Sequence, residues 1–167
     1  MTSESLSATI TIRAPAEAVF SVLADPTNHV AIDAGSSRPQ YGVGGVLEAI
    51  DRERLTASGQ VFRMAMYHPN HPNPNGRYQT ANRVRVLDPP HAISWETGYE
   101  ADDGSLRFAG WVWRYDLTPV ADSTTEVTLS YDWSAVPDDV RDRIGFPPFP
   151  PAHLENSLAH LASLVTT

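Results

Sequence analysis

Apolar and polar residues alternate in a series of short segments through the middle of the chain, and this pattern predicts β-strands. Five segments carry it: 60–68, 78–87, 91–99, 106–117 and 125–134. In the last of them, Val127, Leu129 and Tyr131 share a face, and polar residues occupy the other. Such alternation over consecutive strands joined by turns indicates an antiparallel sheet with one buried face and one face in water. The same parity places Tyr78, Asn82 and Val86 on one face of the second segment.

The segments before this meander predict a strand followed by two short helices. Residues 7–13 alternate as a half-buried strand, and Pro15 then opens an apolar stripe over residues 16–24 that is typical of a helix. Residues 27–33 are compatible with another turn or two of helix. A Gly-rich connection follows, for which we predict a mobile lid over residues 35–46, and a weak strand covers 46–50.

The chain closes with an amphipathic helix over residues 152–165, after a short helical turn at 137–144. Leu154, Leu158 and Leu161 recur at helical spacing and form its apolar stripe. The apolar face of the sheet must also be buried against another element. We therefore predict an α+β fold in which the long C-terminal helix lies across a curved antiparallel sheet of about six or seven strands.

Composition narrows the chemistry that is open to this protein. The net charge is −8, all 12 basic residues are Arg, and the chain has neither Lys nor Cys. The absence of Cys excludes disulfides, thiolate metal sites and a cysteine nucleophile. The absence of Lys excludes imine formation on lysine and a Walker phosphate loop. The acidic balance argues against nucleic acid as a partner, because nucleic-acid binding needs a basic surface.

No segment approaches the length of an apolar membrane span, and the first residues lack the features of a signal peptide. We expect a cytoplasmic protein, monomeric or homodimeric. There is no internal repeat and no dividing linker, so residues 1–167 are interpreted as one domain with a core at about 5–165.

Several short motifs, taken in order, resemble the START-like superfamily, which includes Bet v 1-type allergens, lipid-transfer domains and polyketide cyclases. Residues 12–20 (IRAPAEAVF) with 23–26 (LADP) resemble its first strand and helix. Residues 86–90 (VLDPP) with 93–95 (ISW) resemble its mid-sheet turn, and 113–119 (WRYDLTP) with 125–129 (TEVTL) its last hairpin. The resemblance implies a helix-grip fold with a cavity between the sheet and the long helix.

That cavity would take a small hydrophobic or aromatic molecule, lipid-like or polyketide-like. Strand parity and the resemblance together predict mainly aromatic and methionine walls. The predicted ligand-binding residues are Met64, Met66, Tyr78, Asn82, Trp95, Tyr99, Trp111, Trp113, Tyr131, Trp133 and Phe149. Pockets of this kind are mostly apolar with a few polar groups.

Two alternatives to simple binding remain open. A polyketide cyclase, aromatase or dehydratase would use His68 and His153 as acid–base residues, since imidazole is the commonest group for that work. An interaction or regulatory module would need no ligand. His68 and His71 have an H-x-x-H spacing, but no third ligand lies nearby in sequence, so we predict neither a metal nor any other cofactor.

Overall fold

Seven antiparallel strands form one curved sheet, which confirms the predicted α+β class. The structure is a computed structural model that describes residues 4–32, 45–68, 72–143, 145–147, 149 and 152–166. Its strands are β1 (Ser5–Ile12), β2 (Gly45–Ala49), β3 (Val61–Tyr67), β4 (Arg77–Asp88), β5 (Ala92–Glu100), β6 (Leu106–Ala121) and β7 (Thr124–Asp132). Its helices are α1 (Ala16–Leu23), α2 (His29–Ile32), α3 (Asp138–Arg143) and α4 (Ala152–Thr166), with 3₁₀ turns at Pro26–Asn28 and Pro74–Gly76.

The strands follow the order β1-β7-β6-β5-β4-β3-β2, so the first strand pairs with the last. β2 to β7 form a continuous meander, as the alternating segments predict. β2 lies at the edge of the sheet opposite β1, and residues 33–44, which precede β2, are outside the described part of the chain. Most of the predicted lid at 35–46 therefore lies outside the described residues.

A capped turn joins α1 to α2 and sets the direction of α2. Asp25 accepts hydrogen bonds from the backbone N–H of Thr27 at 3.0 Å and from its hydroxyl at 2.7 Å. These bonds lower the pKa of Asp25, because they stabilise the ionised carboxylate. Pro26 suits the first position of the 3₁₀ turn that follows, since it has no N–H to satisfy there.

Helix α4 closes the concave side of the sheet. Its buried residues are Leu154, Ser157, Leu158 and Leu161, at the helical spacing that the sequence predicts. The helix packs against β1, α1 and α2. The central core thus lies between α4 and the inner faces of the strands.

Charged side chains lie on the convex side and pair there. Arg63 bonds Asp51 at 2.8 Å, Arg114 bonds Asp116 at 3.0 Å, and Arg83 pairs with Glu96. Hydrogen bonds from Arg63 lower the pKa of Asp51. The outward parity of these arginines agrees with the predicted wet face.

A β-bulge corrects one part of the predicted parity. The register between β4 and β5 shifts between Val84 and Val86, because Arg85 is an extra residue in β4. Val86 therefore pairs with Ser94 on the outer face, and Leu87 packs against the core instead. The prediction that Val86 shares the inner face was wrong for this reason.

A second irregularity lies between β5 and β6, opposite Thr97. Glu96 pairs with Val112 but Gly98 pairs with Phe108, so residues 109–111 form an extended bulge in β6. Gly110 has a φ of +104°, and a Cβ there would lie 2.6 Å from the carbonyl oxygen of Ala135. Glycine is therefore required at this position for both conformation and space.

Candidate functional site

A cavity of about 90 Å³ lies between the concave face of the sheet and the helices. Its wall is built by β2 to β7 and by helices α1, α2 and α4, so it occupies the middle of the molecule. Its lining residues are Leu23, His29, Ile32, Val46, Phe62, Met64, Met66, Thr80, Asn82, Trp95, Thr97, Trp113, Tyr115, Leu129 and Ser157. Most of these side chains are aliphatic or aromatic.

A short polar strip crosses the cavity floor on β4 and β5. The Thr97 hydroxyl donates to Asn82 Oδ1 at 2.8 Å, and Asn82 Nδ2 donates to the carbonyl of Phe62 at 3.3 Å. Thr80 lies two residues before Asn82 on the same face of β4 and is buried. The amide of Asn82 is thus held in one orientation, because both of its ends are bonded.

His29 is the functional candidate that sequence reasoning missed. It is buried, and its ring lies 5.1 Å from Trp95 in a stacked arrangement and 5.7 Å from Phe62 edge-on. Its Nε2 lies 2.9 Å from the carbonyl oxygen of Leu23 at the end of α1. A carbonyl can only accept, so Nε2 carries the hydrogen. The only available signal was indirect: Asp25-Pro26 begins the turn that brings His29 inward.

Five of the eleven predicted ligand-binding residues line the cavity. They are Met64, Met66, Asn82, Trp95 and Trp113. Met64 and Met66 come from β3, and the aromatic pair comes from β5 and β6, where Trp95 and Trp113 are direct cross-strand partners. The alternation of apolar and polar residues places these side chains correctly, because no bulge interrupts these stretches.

A second group of predicted residues forms an adjoining aromatic cluster, which shares Trp113 with the cavity. Tyr131 lies 4.5 Å from Trp113 and 4.9 Å from Phe149 between ring centroids, and His153 lies 4.7 Å from Phe149. The members of the aromatic cluster are Trp111, Trp113, Tyr131, Trp133, Phe146, Phe149 and His153. The cluster packs the start of α4 against the middle of β6 and the end of β7.

Tyr131 is the most strongly perturbed titratable group of the cluster. Burial raises the pKa of its hydroxyl, and the neighbouring Tyr78 adds a smaller effect in the same direction. Tyr78 itself is half-buried and is not among the cavity-lining residues. An uncharged phenol at Tyr131 suits its apolar surroundings.

The remaining predicted residues lie away from the cavity wall. Tyr99 is 56% exposed, and it lies at the far end of β5, beyond Gly98, the last residue of that strand that pairs with β4. His68 follows β3, and its backbone N–H donates to the carbonyl of Gly76 at 2.9 Å. His153 contacts Phe149 and Trp113 through its ring but does not line the cavity.

Among the residues that the structure describes, no three His, Asp or Glu side chains come close enough together to hold a metal ion. His71 of the H-x-x-H motif lies outside the described residues. In the described part of the chain, no helix is long and apolar enough to cross a lipid bilayer.

A curved antiparallel sheet gripping a C-terminal helix around an internal cavity defines a helix-grip protein. The chain belongs to the family described as "Polyketide cyclase / dehydrase and lipid transport", whose model matches residues 3–166. This match covers nearly the whole chain and agrees with the resemblance that the sequence motifs carry. No curated protein matches the chain.

Solved structures with the same fold share little sequence with this chain. A protein from Arthrobacter aurescens is 12% identical with a TM-score of 0.66, covering 98% of this chain and 86% of its own. A protein from Mycobacterium smegmatis is 16% identical with a TM-score of 0.63, covering 98% and 91%. An AHSA1-like protein from Aeromonas hydrophila is 15% identical with a TM-score of 0.56, covering 96% and 92%. These likenesses establish the fold alone.

Proposed function

We propose that this protein binds one small hydrophobic or aromatic molecule in the cavity between the sheet and α4. The observation that carries the proposal is the cavity itself, whose walls are mainly apolar and whose few polar groups are held in place. A solid core would leave no such space, since protein interiors pack with few voids larger than a water molecule. The family description, which includes lipid transport, supports the same class of function.

The volume limits the size of the proposed ligand. An apolar cavity of roughly 150 Å³ binds benzene in another protein, and drug-sized ligands occupy about 300–1,000 Å³. At about 90 Å³, the cavity suits a single ring or a short chain after a modest adjustment of its walls. Met64 and Met66 are suited to that adjustment, because an unbranched thioether side chain repacks easily.

We assign different roles to the predicted residues in this proposal. Trp95 and Trp113 form flat apolar walls, and Asn82 provides a polar contact. The aromatic cluster closes the cavity next to Trp113. We propose no ligand contact for Tyr99 or His68, which lie away from the cavity lining.

Native mass spectrometry of freshly purified protein, paired with a cavity-filling variant, tests this proposal. Ser157 is buried and lines the cavity, so Ser157→Leu should fill much of the space and abolish retention of a small molecule. Ser163→Leu, on the exposed face of the same helix, is the matched control and should retain it. If wild type and both variants retain the same molecule equally, the ligand does not bind in the cavity.

Acid–base catalysis within the cavity is a second candidate function, and His29 is the observation that favours it. His29 is the one imidazole among the described lining residues, and its bond to Leu23 orients the ring. An imidazole beside a bound ketone is suited to taking a proton from the carbon next to the carbonyl. We assign this role to His29 in place of His68 and His153.

Proton exchange tests this second function without knowledge of the natural substrate. Acetophenone in deuterated water should exchange its methyl protons faster with the wild-type protein than with buffer, as measured by NMR. His29→Gln should return the exchange to the buffer rate, whereas His91→Gln, at an exposed position, should not change it. Equal exchange with and without protein would rule out enolisation in this cavity.

A further inference from the structure

The cavity differs from the rest of the protein in its charge. The described residues that line it include no Asp, Glu or Arg, although the chain as a whole has 32 such residues, 12 basic and 20 acidic. His29 is the one lining side chain, within the described part of the chain, that is able to carry a charge near neutral pH. Its Nε2–H is bonded to the backbone carbonyl of Leu23.

Two arginines on the neighbouring strands, Arg63 and Arg83, point away from the cavity and have partners. Arg63 lies between Phe62 and Met64 in β3, and it bonds Asp51 at 2.8 and 3.0 Å on the convex side. Arg83 pairs with Glu96 and lies over the ring of Phe108 at 4.3 Å. Because these side chains alternate with the cavity residues along each strand, a bound anion would have no guanidinium within reach from β3 or β4.

Polar groups are present, however, and they are uncharged. Thr97 donates its proton to Asn82 Oδ1, so the Thr97 oxygen keeps its acceptor capacity. The Thr80 hydroxyl lies on the same face and is able both to donate and to accept. Such groups match the carbonyl, amide or hydroxyl of a neutral molecule but do not offset the burial of a full charge.

We propose that the cavity selects uncharged ligands that carry one or two hydrogen-bonding groups on a small apolar body, and that it rejects carboxylates of the same shape. This inference rests on the proposed binding function and names its ligand class. Neutral aromatic ketones, amides and phenols fall within that class. Ionised fatty acids and aromatic acids fall outside it.

Benzamide and benzoate form a suitable probe pair, because they differ in charge but hardly in shape, and toluene reports on apolar binding alone. Titrations at neutral pH, followed by NMR of the protein methyl groups, should show benzamide binding at least about tenfold more tightly than benzoate. Benzoate affinity equal to or above that of benzamide would overturn the inference while leaving the binding function intact. Failure of all three probes to bind would overturn both.

A matched pair of variants tests the role of the polar strip. Thr80→Val keeps the shape of the side chain and should weaken benzamide binding about three- to tenfold, while toluene affinity stays the same. Thr118→Val, at an exposed position of β6, is the control and should change neither affinity. Unchanged benzamide binding in Thr80→Val would show that the strip does not recognise the ligand.

Discussion

Among the described side chains, Tyr131 is a buried phenol whose surroundings raise its pKa. Burial raises its pKa above the ordinary value of 10.0. The chain contains neither Lys nor Cys, so tyrosines are the side chains that ordinarily titrate near pH 10. An alkaline titration of the side chains of this protein therefore reports mainly on its six tyrosines.

Stability should fall above about pH 10, and Tyr131 should account for part of the fall. The unfolded chain releases the Tyr131 proton there while the folded protein keeps it, so the free energy of unfolding drops by about 1.4 kcal/mol per pH unit for this residue. Below about pH 10 both states keep the proton, and the effect vanishes. Urea unfolding at several alkaline pH values gives the slope of the free energy of unfolding against pH for wild type and for Tyr131→Phe. The difference between the two slopes is the contribution of Tyr131.

The control for this prediction is Tyr99→Phe, since Tyr99 is 56% exposed and lies outside the core. It should keep the wild-type slope. Identical slopes for wild type and Tyr131→Phe would contradict the assigned burial of the Tyr131 hydroxyl. The pH slopes are compared, and not the free energies of unfolding themselves, because Tyr131→Phe also changes packing, and that change affects stability at every pH.

At the scale of single elements, the bulge in β6 depends on Gly110. Gly110→Ala should destabilise the protein by about 2–4 kcal/mol, because it combines a left-handed backbone with a Cβ placed 2.6 Å from the carbonyl oxygen of Ala135. Gly104→Ala is the matched control, with a similar φ of +84° and no atom within 4 Å of the added Cβ. Thermal or urea unfolding of both variants measures the effect of the close approach, and equal losses would contradict it.

The positions of strands and helices can be predicted from the sequence, whereas the positions of β-bulges cannot. Alternation predicts β3 to β7 and the stripe on α4, because a buried face imposes a period of two on strands and about 3.6 on helices. A bulge adds one residue without changing composition, so Arg85 alters the parity of Val86 with no local signal. Tyr99 lies outside the cavity for a different reason: it follows Gly98, the last residue of β5 that pairs with β4, whereas Trp95 and Thr97 lie within the paired stretch and line the cavity.

The candidate site also contains residues whose positions follow from the sequence and one, His29, whose position does not. Met64, Met66, Asn82, Trp95 and Trp113 lie on regular strands, and their inward positions were predictable. His29 lies on a four-residue helix whose orientation depends on tertiary contacts with Trp95 and Phe62. Periodicity has too few residues to act on there, so no sequence pattern assigns His29 to the cavity.

At the scale of the whole molecule, the fold separates charge from apolar surface. The sheet directs paired arginines and carboxylates outward and encloses an uncharged cavity under α4. The net charge of −8 therefore says little about the ligand, because no Asp, Glu or Arg of the described residues lines the cavity. The family assignment agrees with an internal binding site of this kind.

The central claim is that a small hydrophobic molecule enters this cavity, and a toluene titration followed by methyl NMR tests it most directly. The methyl groups of Leu23, Met64 and Leu129, which surround the cavity, should shift together and saturate at one molecule per chain. The methyls of Val120, which is 55% exposed, should stay unchanged. Shifts confined to exposed methyls, or none at all, would contradict the account.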